Sequence, residues 1–191
     1  NRQKTSRVWG SGIDLKEFTP KEIPKKHVFL MVSRLLIEKG IYEFFEAASI
    51  IKKIYPYCKF RLIGGLTLNK FSSINENIMK KYIKQGCIEY LGELPLMRVK
   101  EEISKCRYFV LPSYREGTPR SVLEALAVGR PIITCDSVGC RETVIDGING
   151  KLVKPRDSKE LAEKMEFLLN LPEEKLIKMG QESINLAKAK Y

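Results

Sequence analysis

Short apolar runs alternate with amphipathic segments along most of this chain. The run VFLMVS at 28–33 is rich in β-branched and aromatic residues, and it predicts a buried parallel strand. After the loop RLLIEKG, the segment IYEFFEAASIIKKI places apolar residues at positions 41, 44, 45, 48 and 51, which is helical spacing. The first unit is therefore predicted to be a strand, a loop and a helix.

The same unit recurs towards the C-terminus. Further strands are predicted at 59–63, 88–91, 107–111 and 131–134, and helices near 74–85, 95–105 and 120–128. Such alternation implies right-handed crossovers, so we predict an α/β fold, a Rossmann-like parallel β-sheet with helices on both faces. Past residue 135 we predict loops and short pieces, and then two closing helices. Asp157 and Glu160 form a predicted capping box for the first closing helix, and Pro172 begins the second.

The 191 residues are predicted to form one domain at 25–191, preceded by a connecting segment at 1–24. The N-terminal stretch has no apolar signal core and does not begin with Met, so we expect a missing N-terminal domain upstream. No apolar run approaches the roughly 18 residues that a membrane span needs. The five cysteines are scattered, and a single histidine accompanies them, which favours a reduced, cytoplasmic protein without a zinc site.

Charge narrows the range of partners without choosing among them. Lys and Arg number 34 against 23 Asp and Glu, a formal net charge of +11, which favours polyanions, nucleotide phosphates or an anionic membrane face. The basic residues do not alternate with aromatics, as they do on base-stacking surfaces. Solvated helix faces explain most of them, so nucleic acid is a disfavoured partner, and peripheral contact with an anionic membrane stays open.

Candidate chemistry lies in the loops after the strands, because ligands of open parallel sheets bind beyond the carboxyl ends of the strands. Four such loops stand out: SRLLIEKG, GGLTLN, LGELP and PSYREGTPRS. In the first loop, Arg34 and Lys39 suit a diphosphate, because the planar guanidinium can bind two phosphate oxygens and the ammonium group a third. The alternative explanation is an ordinary surface turn.

The fourth loop leads into a predicted helix start at Thr118 or Pro119. The free N–H groups of Arg120, Ser121 and Val122 should then point outward at the positive end of the helix dipole. Such an end binds phosphate well, although most helix starts of this kind bind only water.

Glu116 and Glu124 flank this helix start. A carboxylate aimed at phosphate would be repelled, so we predict that the two acids accept hydrogen bonds from neutral hydroxyls. Glu124 then suits a ribose diol and Glu116 a sugar, and a nucleotide sugar presents all these groups together. Taken singly, Glu124 is also explained as a favourable first-turn acid, and Glu116 as a solvated loop residue.

These residues resemble a known family. EGTPRSVLEALAVGRP resembles the signature of the family-4 retaining glycosyltransferases, which have the GT-B fold. SRLLIEKG, VWGSGIDLKEFTP, IEYLGELP and VGCRETVIDGINGKLVKPRD resemble further stretches of the same family, in the same order. Two positions depart from the pattern, since Ser11 stands where Asn is common and Cys140 where Gly is common. The resemblance covers nearly the whole chain, but only the donor-binding, C-terminal half of the fold.

The resemblance implies a role for each candidate residue. Arg34 and Lys39 would hold the diphosphate and stabilise the leaving nucleotide, Glu124 would bind the ribose, and Glu116 would contact the transferred sugar. The catalytic residues that the resemblance implies are therefore Arg34, Lys39 and Glu116. Further nucleotide-binding residues are implied at the following positions: Gly64, Leu94, Gly117, Thr118, Pro119, Arg120, Ser121 and Val122. No Asp-x-Asp motif occurs, so neither a metal nor a separate cofactor is implied.

The implied activity is transfer of a sugar, with retention of configuration, from a nucleotide diphosphate sugar that we expect to be UDP-linked. The acceptor would be a surface polysaccharide or a lipid-linked glycan, bound through the missing N-terminal domain, so this chain alone would be inactive. Since the chain offers no His-activated Ser or Cys, front-face substitution is the expected mechanism. Two alternatives stay open: a nucleotide-sugar epimerase or phosphorylase of the same architecture, and a basic nucleic-acid-binding module.

Overall fold

The computed structural model describes residues 12–66 and 72–191. Within them, six parallel strands form a sheet in the order β3-β2-β1-β4-β5-β6. The strands are β1 (Val28–Val32), β2 (Lys59–Ile63), β3 (Glu89–Tyr90), β4 (Tyr108–Leu111), β5 (Ile132–Cys135) and β6 (Gly150–Val153). The α-helices are α1 (Ile41–Ile54), α2 (Glu76–Lys84), α3 (Leu96–Lys105), α4 (Arg120–Val128), α5 (Ser158–Leu169) and α6 (Glu173–Lys190). Short 3₁₀ helices span Ile37–Lys39 and Arg141–Thr143.

The two central strands, β1 and β4, consist of apolar and aromatic residues because helices cover both faces of the sheet. Every residue of β4 and β5 is buried. The ring of Phe29 on β1 stacks against Phe60 and Tyr108 on the flanking strands, at centroid distances of 5.0 and 4.4 Å. α1 packs against α2 and α5, and α4 packs against α3 and α6, so each face has its own group of helices. The predicted fold class is confirmed.

The bounds of β1, β4 and β5 are within one residue of the sequence prediction, whereas β3 is half as long as predicted and β6 was not predicted as a strand. β3 is confined to Glu89–Tyr90, where 88–91 was predicted, and it pairs with β2 alone. The segment 150–153, predicted to be a loop, is β6 and pairs with β5. Its sequence GKLV begins with two residues of weak strand propensity, so the local sequence does not predict a strand. Gly150 is required there, because a Cβ would lie 2.0 Å from the Ile132 carbonyl oxygen.

The predicted capping box of α5 is half present. Asp157 is the N-cap, and its Oδ1 accepts a hydrogen bond from the Glu160 amide at 2.8 Å, as the sequence predicted. Glu160 Oε2 accepts from the Lys154 amide at 2.8 Å, where the motif would have it accept from Asp157. The side chain therefore ties α5 to the end of β6.

The described part of the connecting segment packs against the α/β domain. Phe18 is 1% exposed and belongs to the core. The buried Arg130 donates two hydrogen bonds, to the carbonyl oxygens of Lys21 and Glu22. Residues 12–24 therefore contribute to the domain's packing, and the division at residue 24 stays a prediction. Ser11 and residues 67–69 of GGLTLN lie outside the described residues.

The strand order reverses beside β1. The chain runs from β1 outward to β2 and β3, and it then returns to place β4 on the other side of β1. The loops after β1 and β4 consequently diverge, which opens a crevice at the carboxyl ends of these strands. Among the described helices, none combines the length and the apolar character that crossing a bilayer requires.

Candidate functional site

A cleft of about 570 Å³ lies in this crevice. It is bounded by the four loops that follow β1, β2, β3 and β4 and by the first turns of α3 and α4. It gathers most of the site residues predicted from the sequence: Arg34, Lys39, Gly64, Leu94, Glu116, Pro119, Arg120, Ser121 and Glu124. Three predicted residues, Gly117, Thr118 and Val122, are not part of its lining. Gly117 lies in a neighbouring depression beside Val138.

One wall of the cleft is backbone that continues the β1–β2 pairing beyond the strands. The amide of Ser33 donates to the Ile63 carbonyl oxygen at 3.0 Å, and the amide of Leu35 donates to the Gly65 carbonyl oxygen at 3.1 Å. Gly64 lies between these contacts with φ +154°, and a Cβ there would be 1.7 Å from the Ser33 carbonyl oxygen. Because no side chain fits, Gly64 lets the two loops approach closely.

The start of α4 faces the cleft. Pro119 is the N-cap, and Ser121 Oγ donates to the Val32 carbonyl oxygen at 2.9 Å, which fixes the helix start against the end of β1. The amide of Val122 donates to the Pro119 carbonyl oxygen at 3.0 Å, and its side chain is buried. The expectation that Val122 presents an outward N–H is therefore wrong, and the first-turn amides left for an anion are those of Arg120 and Ser121.

The loop that carries Glu116 is held from two sides. The amide of Tyr114 donates to the Glu38 carbonyl oxygen at 2.8 Å, and the amide of Glu116 donates to the Val138 carbonyl oxygen at 3.1 Å. Gly139, with φ +80°, permits the second contact, because a Cβ would lie 2.2 Å from the Glu116 carbonyl oxygen. Sequence reasoning did not identify this support, since it joins loops that are separate in the chain.

Lys39 and Glu116, predicted as separate site residues, form an ion pair. Lys39 Nζ donates to Glu116 Oε1 at 2.6 Å, and the two side chains are only 12% and 14% exposed. Shielding from water makes such a charge-assisted hydrogen bond stronger than an exposed pair. An ammonium group has three N–H donors, so Lys39 can contact Glu116 and still bind an anion.

Glu124 is deeply buried, with 4% exposure. It is the fifth residue of α4, beyond the first turn, so a favourable interaction with the helix dipole does not explain it. Burial raises the pKa of its carboxyl, and Arg120, whose Nε donates to Glu124 Oε1 at 3.2 Å, counteracts part of this rise. The Arg120 side chain is 68% exposed, so this partner constrains Glu124 weakly.

Two charged side chains in the cleft form no ion pair or side-chain hydrogen bond with any of the described residues: Arg34 and Glu93. Arg34 lies between Ser33 and Leu35, whose amides continue the β1–β2 pairing, and Arg34 is exposed. Glu93 belongs to the loop LGELP, which the sequence singled out, but it was not among the predicted site residues. Its only signal in the sequence was a charge in a loop that follows a strand.

The cleft therefore contains as many carboxylates as cations. They are Glu93, Glu116 and Glu124, with Arg34, Lys39 and Arg120. Since Lys39 and Arg120 each have a carboxylate partner, the remaining positive potential comes from Arg34 and from the N-terminus of α4. This arrangement can bind an anion at the helix start and hydroxyl groups at the carboxylates.

No cysteine lines the cleft, although Cys140 lies behind the Glu116 loop, where its Sγ donates to the Ser113 carbonyl oxygen at 3.7 Å. All five cysteines are buried and form no disulfide. Burial raises the pKa of the Cys58 thiol to about 11 and that of Cys106 to about 12, so both are protonated at neutral pH and are poor nucleophiles. The described residues contain no group of three or more His, Cys, Asp or Glu placed to hold a metal ion. Metal-independent chemistry stays a prediction.

The fold and the cleft define a class of protein, an α/β ligand-binding domain with an anion-binding helix start at the switch point of a parallel sheet. The chain belongs to the family described as glycosyl transferases group 1, whose model matches residues 14–185. The resemblance to glycosyltransferases, stated from the motifs, is thereby confirmed.

Two curated relatives carry the names of bacterial glycosyltransferases. The N,N'-diacetylbacillosaminyl-diphospho-undecaprenol alpha-1,3-N-acetylgalactosaminyltransferase of Campylobacter jejuni is 37% identical over 191 residues, which cover 93% of this chain and 46% of that protein. The capsular polysaccharide biosynthesis glycosyltransferase CapM of Staphylococcus aureus is 31% identical over 163 residues, which cover 82% and 40%. The chain thus spans less than half the length of each of these relatives.

Solved structures share the fold. The C-terminal domain of LpcC, a glycosyl transferase group 1 family protein from Francisella tularensis, has a TM-score of 0.82 at 26% identity, covering 94% of this chain and 98% of that domain. Anabaena HepE in complex with UDP has a TM-score of 0.83 at 19% identity, covering 97% of this chain and 53% of that protein. The predicted C-terminal half of a GT-B fold agrees with both.

Proposed function

We propose that this chain is the donor-binding domain of a glycosyltransferase that uses a UDP-sugar. The observation that carries the proposal is the meeting of Arg34, the start of α4 and the buried Glu124 in one cleft. A nucleotide sugar needs cationic N–H groups for its diphosphate and carboxylate acceptors for its hydroxyls. The Anabaena protein of the same fold holds UDP, which makes UDP the first ligand to test.

The diphosphate is proposed to lie between Arg34 and the first turn of α4. The Arg34 guanidinium has no partner within the described residues, and the Arg120 and Ser121 amides lie at the positive end of the helix. Lys39 would add the N–H groups that it does not donate to Glu116. As the bond to the sugar breaks, negative charge develops on the diphosphate, and these groups would stabilise the leaving nucleotide.

The hydroxyl groups are proposed to bind the two glutamates. Glu124 would accept hydrogen bonds from the ribose, and Glu116 from the transferred sugar. Glu116 and a diphosphate are both negatively charged, so they would repel each other at close range. The ion pair with Lys39 reduces this repulsion. Lys39 offsets the charge of the carboxylate, so the sugar hydroxyls and the phosphates can lie next to each other with less repulsion.

The complete reaction requires an acceptor. By name, the Campylobacter jejuni relative acts on a diphospho-undecaprenol substrate and the Staphylococcus aureus relative makes capsular polysaccharide. We therefore propose a lipid-linked glycan or a surface polysaccharide as acceptor, held by a further domain, and transfer with retention by front-face substitution. A two-domain cleft excludes water and aligns the reacting groups, so the chain alone would bind the sugar nucleotide without transferring the sugar.

A cytoplasmic location at an anionic membrane fits such an acceptor. At the C-terminal end of α1, Lys52 and Lys53 border a surface depression, next to the exposed Ile54 and Tyr57. Each lysine near an anionic bilayer contributes about 1 kcal/mol of attraction. Co-sedimentation with phosphatidylglycerol vesicles should be abolished by salt and reduced by a Lys52→Glu, Lys53→Glu double variant. Equal binding to neutral vesicles would contradict this partner.

Titration calorimetry with UDP tests the proposed function. Arg34→Ala should weaken UDP binding about tenfold or more, the scale of a charge-assisted hydrogen bond. Arg98→Ala is the matched control, since Arg98 is an exposed arginine on α3 that pairs with Glu101 outside the cleft. Equal affinity of the wild type and Arg34→Ala, or an equal loss in Arg98→Ala, would contradict the diphosphate site.

A further inference from the structure

Glu93 has no role in the binding of diphosphate, ribose and sugar that is proposed above. Its carboxylate lines the cleft, yet it forms no ion pair or side-chain hydrogen bond with the described residues. It lies directly over Gly65, where a Cβ would be 2.5 Å from Glu93 Oε2. The neighbouring Tyr90 hydroxyl is already committed, since it donates to the Gly64 carbonyl oxygen at 2.8 Å. Glu93 is exposed, so its carboxylate borders the open cleft and can accept hydrogen bonds from a ligand.

The part of the cleft near Glu93 suits a nucleobase. Ile63, Leu94, Leu96 and Val99 give this part apolar walls, at the ends of β2 and β3 and the start of α3. The proposed diphosphate site lies on the other side, at β1 and the start of α4. Under the proposed function, on which this step rests, a nucleotide with its phosphates at Arg34 has its flat, apolar base between these walls.

We propose that Glu93 is a specificity-determining residue, which selects nucleobases that carry a ring N–H on their pairing edge. Uracil presents its N3–H there, and hypoxanthine and guanine present N1–H, so each can donate to the carboxylate. Cytosine and adenine present an unprotonated ring nitrogen at the same position, and their N–H donor on this edge is the exocyclic amino group beside it, so the discrimination applies to a carboxylate placed at the ring nitrogen. An ionised carboxylate has acceptors only, so it repels that lone pair.

Two pairs of ligands test this contact, because the bases within each pair have the same ring size and differ in the ring N–H. UDP and cytidine diphosphate are both pyrimidine nucleotides, and inosine diphosphate and ADP are both purine nucleotides. The 191-residue chain should bind UDP about tenfold or more tightly than cytidine diphosphate, and inosine diphosphate more tightly than ADP. In Glu93→Gln both ratios should fall below about threefold, because an amide both donates and accepts and can rotate to suit either base.

The control is Glu101→Gln, which removes one exposed carboxylate from α3 outside the cleft. It should keep the wild-type ratios, and thermal unfolding should show that both variants stay folded. Ratios unchanged in Glu93→Gln, or a wild type that does not separate UDP from cytidine diphosphate, would overturn the role of Glu93 and leave the proposed function standing. A wild type that binds none of the four nucleotides would overturn both.

Discussion

Lys39 Nζ lies 2.6 Å from Glu116 Oε1, in a pair that is largely shielded from water. The contact joins the loop after β1 to the loop after β4, on either side of the switch point. Each residue therefore changes the charge that the other presents to a ligand. Mutations at the two positions should have opposite effects on anion binding.

Glu116→Gln should leave UDP affinity unchanged or raise it by up to about threefold, because Lys39 loses its anionic partner and becomes free for phosphate. Sugar transfer by the full-length enzyme should fall by about a hundredfold or more, the scale of a lost contact near the reacting centre. Calorimetry and a transfer assay measure the two effects separately. A large loss of UDP affinity with normal transfer would show that the roles of Glu116 and Glu124 are exchanged.

Lys39→Ala should weaken UDP binding by about 1.5 to 3 kcal/mol, the value of a charge-assisted hydrogen bond. The double variant Lys39→Ala, Glu116→Gln tests how the lysine acts. If Lys39 binds phosphate directly, the double variant stays weak. Recovery of wild-type affinity in the double variant would show that Lys39 serves only to neutralise Glu116.

Glu124→Gln should weaken uridine monophosphate and UDP by a similar factor, because the ribose is common to both. It should also stabilise the fold at neutral pH. Burial raises the folded-state pKa of Glu124, so its ionised form lowers the free energy of unfolding at neutral pH. That cost disappears as the pH falls through the raised pKa of the folded state towards the ordinary glutamate value.

Chemical denaturation of the wild type and Glu124→Gln at several pH values measures this difference in stability. The advantage of Glu124→Gln should shrink as the pH is lowered towards the raised pKa. For the wild type, affinity for uridine monophosphate should decline over the same range, since a protonated carboxyl is a poorer acceptor. A variant that is less stable at neutral pH but binds uridine monophosphate normally would indicate a purely structural role.

Gly64→Ala should unfold or severely destabilise the domain, because its Cβ would be placed 1.7 Å from the Ser33 carbonyl oxygen, a backbone atom. Gly86→Ala is the matched control, since Gly86 also has a positive φ, +69°, but its Cβ would meet no atom within 4 Å. The control should cost about 1 to 2 kcal/mol for the left-handed backbone alone. Equal losses in urea denaturation would show that close packing of the two loops does not require Gly64.

Local patterns were sufficient to predict most of the fold. The run at 28–33 became β1, and the helix predicted at 120–128 is α4 without a change of bounds. Both carry their own apolar signal, because their burial follows from their own periodicity. β6 carries no such signal. Its residues become a strand only by pairing with β5, which is a contact that the local sequence does not encode.

The sequence by itself determined the fold class and most of the residues that line the candidate cleft. Arg34, Gly64, Leu94 and Glu116 each follow a strand, and parallel strands bring their carboxyl ends to one edge. The tertiary structure decided how charges pair: Lys39 with Glu116, Arg120 with Glu124, and Glu93 with no partner among the described residues. Apart from the Arg120 pair, which lies within one helix, these arrangements depend on how separate loops pack against one another, and side-chain distances across such loops are set only when the whole sheet is assembled.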